Sequence, residues 1–292
     1  MSVRADVSQW ELDAIGTRWQ VQTFDVLSDT ARDAVRGLID AFDRDWSRFR
    51  DDSLVSALAR GAGVVAAPPD TRALLDTYAA LAEATAGAVN PLVGDALARR
   101  GYDAAYRFVD QGAEAAPSDW RTRLAWTDDS LLLTEPATLD VGAIGKGRLV
   151  DHVASLVAQW AEGPVVVDAG GDIVVRDGHE RIALEHPYDT SRAIGVWEVT
   201  DAALCASATN RRAWGDGLHH VLDARTGEPV RRIAATWAVA HDAMTADAVA
   251  TALFFDGGPE IAAEWDASWV RMTTDGRVDW SPRCDAELFL SR

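Results

Sequence analysis

Residues 243–255 are apolar except at Thr245, Asp247 and Thr251. A helix that is apolar nearly all round is buried, and a buried carboxylate is costly unless it is paired or bound to a metal. Asp247 and Thr251 are four apart, so on a helix they share one face. Their oxygens are the kind of ligand a hard cation such as Mg2+ takes. A plainer account also fits: Asp247 sits in the first turn, where the helix dipole favours it, and Thr251 bonds back to a carbonyl. The helix by itself leaves both open.

A second candidate is a cation. Lysine and arginine total 28, yet Lys146 is the single lysine. It stands in Asp140-Val-Gly-Ala-Ile-Gly-Lys-Gly147, where Gly142, Gly145 and Gly147 bracket it. Glycines permit close backbone approach to a ligand, and a helix N-terminus offers free N–H groups to an anion. The spacing is not that of a Walker loop, and an ordinary strand–turn–helix junction would read the same way. Lysine is a compact point charge and arginine a planar fork, so a lone lysine fits a place where arginine will not do.

Two further segments join these. Asp168-Ala-Gly170-Gly171-Asp172 interrupts two β-branched runs, as a plain turn does, or a bulge where a ligand meets the backbone. His219-His220-Val-Leu-Asp223 places a histidine and an aspartate three apart, a pattern for proton transfer or phosphate contact. No other His/Cys cluster supports a metal there, and His219 reads as a surface strand residue.

These groups must be carried by elements legible in the pattern. Residues 17–26 alternate in part and predict a strand. Residues 29–45 show a helical face at Val35, Leu38, Ile39 and Phe42. Ser53 is placed to cap a short helix and Asp70 a longer one, to about Ala86, with Leu74, Leu75, Tyr78 and Leu81 inward. Residues 123–126 and 130–134 flank a hairpin signal. Residues 146–160 predict a helix. Strands are expected at 164–167, 173–175, 181–184, 194–199, 203–206, 219–222, 235–240, 268–273 and 288–290. Asp242 is placed to cap the apolar helix. Helices gather early and strands late, which predicts an α+β fold with mixed sheets, built as a single unit over residues 1–292.

The 292 residues are 48% hydrophobic and 25% charged, the balance of a globular protein with a core. No apolar run is long enough for a membrane span. The first residues lack a secretory h-region, and Cys205 and Cys284 form no metal or disulfide framework, so a cytoplasmic setting is expected. The net charge of −18 argues against nucleic acid bound through phosphates. An anionic small ligand would need a local cation, a metal or backbone N–H groups.

Taken together, the segments resemble the ApbE family of FAD:protein FMN transferases, in the family's order and over most of the chain. Ala14-Ile15-Gly16-Thr17 resembles its small-Met-Gly-Thr segment, with Ile for Met, and Ser47-Arg-Phe-Arg-Asp-Asp-Ser53 its S-x-[YF]-x-x-x-S stretch. Leu139-Asp-Val-Gly-Ala-Ile-Gly-Lys-Gly147 with Asp151 resembles its D-[LV]-G-x-[IV]-x-K-G core. Asp168-Ala-Gly-Gly-Asp172 is similar to its G-G-D turn, His220-Val-Leu-Asp-Ala-Arg-Thr-Gly-Glu-Pro229 to H-[IV]-[IL]-D-P-R-T-G-x-P, and Ala243-Met-Thr-Ala-Asp-Ala-Val-Ala-Thr-Ala252 to a-M-x-A-D-x-x-[AS]-T-a.

The resemblance implies an ApbE-like fold and Mg2+-dependent transfer of the FMN half of FAD onto a Thr or Ser hydroxyl of an acceptor protein, with release of AMP. It implies Mg2+ ligands at the Ala143 carbonyl, Asp247 and Thr251. FAD contacts are implied at Ile15, Arg100, Gly101, Tyr102, Asp140, Lys146, Gly170, Gly171 and His220, and a catalytic role at His220 with Asp223. The family's T-S-G-[DN]-Y-x-R segment reads Ala206-Ser-Ala-Thr-Asn-Arg-Arg212 here, and its aromatic Trp-Gly-Phe reads Arg100-Gly-Tyr102. A chain of this kind could instead bind FAD without transfer, or hydrolyse it to FMN and AMP.

Overall fold

The structure, a computed structural model, describes residues 7–289. It opens on a hairpin of β1 (Ser8–Ala14) and β2 (Thr17–Thr23). Both residues of the connecting turn have positive φ, Ile15 at 44° and Gly16 at 72°. That is the demand of a type I′ turn, and a β-branched residue meets it only under strain. Then come α1 (Asp29–Trp46), α2 (Leu54–Arg60), β3 (Gly63–Ala66), α3 (Thr71–Ala84), α4 (Gly94–Arg99) and α5 (Trp120–Arg123). A hairpin of β4 (Leu124–Trp126) and β5 (Ser130–Leu133) precedes α6 (Gly145–Val157).

Strands dominate from there: β6 (Val165–Asp168), β7 (Asp172–Arg176), β8 (His179–His186), β9 (Asp189–Thr200) and β10 (Ala203–Ala208). Four two-residue strands follow, β11 (Ala213–Trp214), β12 (Leu218–His219), β13 (Leu222–Asp223) and β14 (Glu228–Pro229). The chain finishes with β15 (Ile233–Ala240), α7 (Ala243–Ala252), α8 (Gly258–Glu264), β16 (Ser268–Thr273), β17 (Val278–Trp280) and β18 (Glu287–Leu288).

The main sheet has eight strands in the order β1-β2-β6-β7-β10-β15-β16-β17. Alternation decides its two faces. Val165 and Val167 point to one side, packing with Val35 of α1, Val153 of α6 and Val249 of α7. Val166 points to the other, with Trp197 of β9 and Trp237 of β15 beneath the small sheet β18-β9-β8. On its far side α7 meets a helical lobe in which Leu74, Leu131 and Leu139 pack with Ala248 and Ala252. Buried on both flanks, α7 needs to be apolar nearly all round, as its sequence is.

The expected α+β class holds. Its sheets are more uniform than the mixed ones expected: among the described residues every strand pairing is antiparallel. The long excursions between β2 and β6 and between β10 and β15 bring each strand back in antiparallel register, so no parallel crossover is formed. No helix among the described residues is long and apolar enough to cross a membrane.

Local expectations fare unevenly. Ser53 and Asp242 cap their helices, accepting from Ser56 N at 3.0 Å and Thr245 N at 2.8 Å. Asp70 makes no such cap; its φ is 68° and its carboxylate accepts instead from Arg148 and His152 on α6. The strand expected at 219–222 is interrupted, with His220 and Val221 between β12 and β13, because the chain turns there to wall the cleft described below. His219 is buried and 2.9 Å from the Val230 carbonyl through Nε2, so it is no surface residue. β1 escaped the sequence pattern since only Trp10 of its residues is buried. Of the strand expected at 288–290, Leu288 lies in β18 and Leu290 falls outside the described residues.

Candidate functional site

Helices α6 and α7 start side by side, and their closeness builds the site. The Gly147 N–H donates to Asp247 Oδ2 at 3.0 Å. Asp151, one turn further along α6, accepts from the N–H groups of Ala243 and Met244, both at 2.9 Å. Free N–H groups at a helix start attract an anion, and here a carboxylate from the neighbouring helix supplies it.

Lys146 forms an ion pair with Asp172, whose carboxylate is fully buried at the start of β7 and takes no hydrogen bond beyond that pair. Burial works against the ammonium charge, but Asp172 and Asp247 outweigh it and raise the Lys146 pKa. Asp247, also buried, has its pKa raised well above the carboxylate range by desolvation and by Asp172, against the pull of Lys146. Two buried carboxylates therefore share one ammonium. Such a pocket lacks positive charge and would be relieved by a cation.

The oxygens that could hold the cation lie close by. Thr251 Oγ1 donates to the Ala143 carbonyl at 3.2 Å, one helical turn from Asp247. Among the described residues no group of three or more His, Cys, Asp or Glu side chains is placed to hold a metal ion. The donor set is thus one carboxylate, one hydroxyl and one carbonyl, all oxygen. It fits Mg2+, which commonly takes one or two carboxylates and completes its shell with water and substrate phosphates.

Above this floor lies a cleft of about 220 Å3, lined by Ile15, Arg48, Tyr102, Lys146, Arg212 and His220 among others. Arg48 is buried; its Nε donates to Asp140 Oδ2 at 2.5 Å and its Nη1 to the Tyr102 carbonyl at 2.7 Å. Its charge lies 4.2 Å from the Phe49 ring centre and 4.9 Å from that of Tyr102, within cation–π range. Arg212 donates to the Tyr102 hydroxyl at 2.8 Å. His220 Nδ1 is buried with no partner. Burial, with Arg212 nearby, lowers the His220 pKa to about 3, so the imidazole is neutral.

Of the residues expected at FAD, Ile15, Tyr102, Asp140, Lys146 and His220 line this cleft, as do Ala143 and Thr251 of the metal set, with Asp247 just beneath. Arg100 does not: its guanidinium is held by Asp110 and Glu228. Gly101 and the Gly170-Gly171 turn also lie outside the lining. Both turn glycines have positive φ, and a Cβ on Gly170 would collide with Thr17 Oγ1, so the turn shapes the sheet end next to Asp172. Asp223 is paired with Arg225 two residues on and is not part of the cleft lining. In the altered 206–212 segment, Ser207 and Arg212 still face the cleft, whereas Asn210, where the family has its aromatic, is exposed. Nothing in the local sequence marks Arg48 and Tyr78 as site residues, and Arg212 is marked only as the arginine that ends the altered family segment; their hydrogen-bond partners lie up to 110 residues away.

Residues 15–269 match the model of the ApbE family. The chain belongs to the ApbE family. A relative from Rhodobacter capsulatus named FAD:protein FMN transferase is 29% identical over 302 residues, covering 94% of this chain and 57% of that protein. One of the same name from Treponema pallidum is 29% identical, over 72% of this chain and 67% of that protein. The chain spans about half the length of several of the curated relatives it matches. Among solved structures, the ApbE protein of Thermotoga maritima superposes with TM-score 0.79 at 21% identity, covering 95% of this chain and 97% of the other. The flavin transferase ApbE of Vibrio cholerae gives 0.77 at 22%, covering 94% and 98%. These likenesses give the ApbE fold.

Proposed function

We propose that this chain moves the FMN moiety of FAD onto a Thr or Ser hydroxyl of an acceptor protein and releases AMP, with Mg2+ as cofactor, as one ApbE-like unit working in the cytoplasm. The observation that carries this reading is the meeting in one cleft of the Lys146–Asp172 pair, the oxygens of Ala143, Asp247 and Thr251, and the unpartnered nitrogen of His220. The names of the curated relatives support the coarser part of it, transfer of FMN from FAD to a protein.

The hydroxyl oxygen attacks the phosphorus of the FMN half. The new phosphoester P–O bond forms as the anhydride bond to the AMP phosphate breaks. The hydroxyl proton must leave and the AMP phosphate must take up the released electron pair. Phosphoryl transfer depends chiefly on positioning and charge stabilisation. Bound Mg2+ supplies Lewis-acid stabilisation of the phosphate oxygens. Lys146, held by Asp172, presents a fixed positive charge to the same oxygens. Neutral His220 can accept the hydroxyl's hydrogen bond and, once the dianionic ligand neighbours it, its proton. The Arg48–Asp140 pair fixes the wall formed by Tyr102.

The test is to incubate the chain with FAD, Mg2+ and a candidate acceptor and weigh the acceptor by mass spectrometry. An acceptor heavier by one FMN moiety, with AMP in solution, supports the reading. AMP and FMN formed without a modified acceptor would leave hydrolysis of FAD as the activity. Intact FAD throughout would reduce the chain to a flavin-binding protein.

A further inference from the structure

Tyr78 projects from α3 to the floor of the cleft, with its ring fully buried. Its hydroxyl donates to the Asp140 carbonyl at 2.8 Å and accepts from the Ala143 N–H at 3.3 Å. Those two backbone groups flank Val141-Gly142, so one oxygen ties both ends of the turn. The turn has a flexible glycine at its centre, whose N–H is held only by Asp140 Oδ1, at 2.7 Å. Ala143 then offers its carbonyl to Thr251 at 3.2 Å. From the Tyr78 hydroxyl to the oxygens that would hold a divalent cation, the path runs through a single residue.

We infer that Tyr78 is a positioning residue that sets the cleft's affinity for a divalent cation, by holding the 140–143 turn so that the Ala143 carbonyl stays beside Thr251 and Asp247. This rests on the Mg2+ reading above. The groups behind metal ligands orient them, and losing one typically weakens metal binding about 10–100-fold. Tyr78 differs from such a group in one respect: it acts on a main-chain ligand, through the amide of the same residue. Phenylalanine at this position would fill the same space and remove only the hydroxyl.

The experiment compares the parent with Tyr78→Phe in Mg2+ titrations of EDTA-stripped protein, read by calorimetry and by the Mg2+-induced rise in Tm. FAD binding in EDTA is measured alongside. The expected result is a Kd for Mg2+ raised about 10–100-fold, with metal-free FAD binding unchanged and turnover regained at high Mg2+. An unchanged Mg2+ affinity would overturn the inference. So would a parallel loss of Tm and FAD binding in EDTA without a change in Mg2+ affinity, which is the signature of a packing role. Were Tyr78→Phe too unstable for calorimetry, the dependence of turnover on Mg2+ concentration decides: a lower maximal rate with an unchanged half-saturating Mg2+ overturns it. A parent chain that shows no response to Mg2+ would sink the metal reading and this inference with it.

Discussion

Gly147 and Asp247 lie a hundred residues apart in sequence, yet the amide of one donates to the carboxylate of the other at 3.0 Å. The contact exists because position 147 has no side chain. A Cβ there would collide with the Ala243 carbonyl oxygen and lie 2.8 Å from Asp247 Cβ. The glycine beside the lone lysine is therefore needed for the packing of α6 on α7, independently of any ligand. Gly147→Ala is expected to force the two helix starts apart and to cost about 1–3 kcal/mol or more, as overpacked cores do. Urea unfolding measures it. Gly37→Ala serves as the contrast: nothing lies within 4 Å of its Cβ, it is exposed in the middle of α1, and it should stabilise the fold by up to about 1 kcal/mol. Equal stability of the two variants would refute the close-approach account.

His220 gives a pH prediction. Its folded pKa is about 3, set by burial and by Arg212, against about 6.5 for a free histidine. Between those values the unfolded chain binds the extra proton and the folded chain does not. Stability from this group is thus complete above about pH 6.5 and declines as pH falls toward 3. His220→Gln should flatten that decline, visible as a smaller drop in Tm between about pH 7 and pH 4. The pH profile of kcat/KM, which reports the ligand-free protein, should show no acidic limb near about 6.5 from this residue. A limb there that disappears in His220→Gln would mean that the imidazole titrates in the normal range.

His219 behaves differently from the sequence expectation, and the reason is instructive. Its ring contacts, the Val230 carbonyl and the Val221 N–H at 3.3 Å, come from the β12–β14 region folding back on itself, which a period-two pattern does not reveal. What was legible were residues whose chemistry is local: the caps at Ser53 and Asp242, the apolar sides of α7, and the glycines around Lys146. What was not legible depends on long-range pairing. Asp70 has the residue type of an N-cap, yet Arg148 and His152 outcompete its own helix for the carboxylate. Arg100 sits two residues from Tyr102 of the cleft wall, yet Asp110 and Glu228 turn its charge away. His219→Ala should accordingly lower Tm, since it removes a buried ring and leaves the Val230 carbonyl and Val221 amide without that partner. An unaltered Tm would return His219 to the surface role expected from its sequence.

The candidate cation site predicts a stability signature that needs no acceptor protein. A ligand that binds only the folded state raises its stability by about 2.7 kcal/mol at a hundredfold excess over Kd. Mg2+ should therefore raise the parent's Tm, and Asp247→Asn, which keeps the shape and the hydrogen-bond acceptor toward Gly147, should abolish the rise. Thr251→Val should reduce it. A Mg2+-induced rise of parental size in Asp247→Asn would exclude Asp247 as a ligand.

Lys146 and Asp172 allow the ligand role of a charge to be separated from its structural role. Asp172 is fully buried and, among the described residues, Lys146 is its sole ion-pair partner. Removing one member of such a pair leaves the other uncompensated and costs about 3–5 kcal/mol. Lys146→Met should therefore be strongly destabilised, and Lys146→Met combined with Asp172→Asn should regain much of that stability, because neither charge remains. Binding of FAD should not recover, since the double variant still lacks the cation facing the cleft; a lost charge-assisted contact of about 1.5–3 kcal/mol corresponds to roughly 10–100-fold in Kd. Lys146→Arg is the finer probe. It keeps the charge, but the planar fork must fit between Asp172 and a crowded turn: the neighbouring Gly145 packs so closely on Val141 that a Cβ there would lie 2.8 Å from Val141 Cγ2. Arginine should hold the fold near parental stability while weakening FAD binding about tenfold or more. Fluorescence titration with FAD, set against the unfolding midpoint for each of the three variants, separates the roles. Parental FAD affinity in the stable double variant would show that Lys146 serves only to neutralise Asp172, and the phosphate contact would then fall to Arg212.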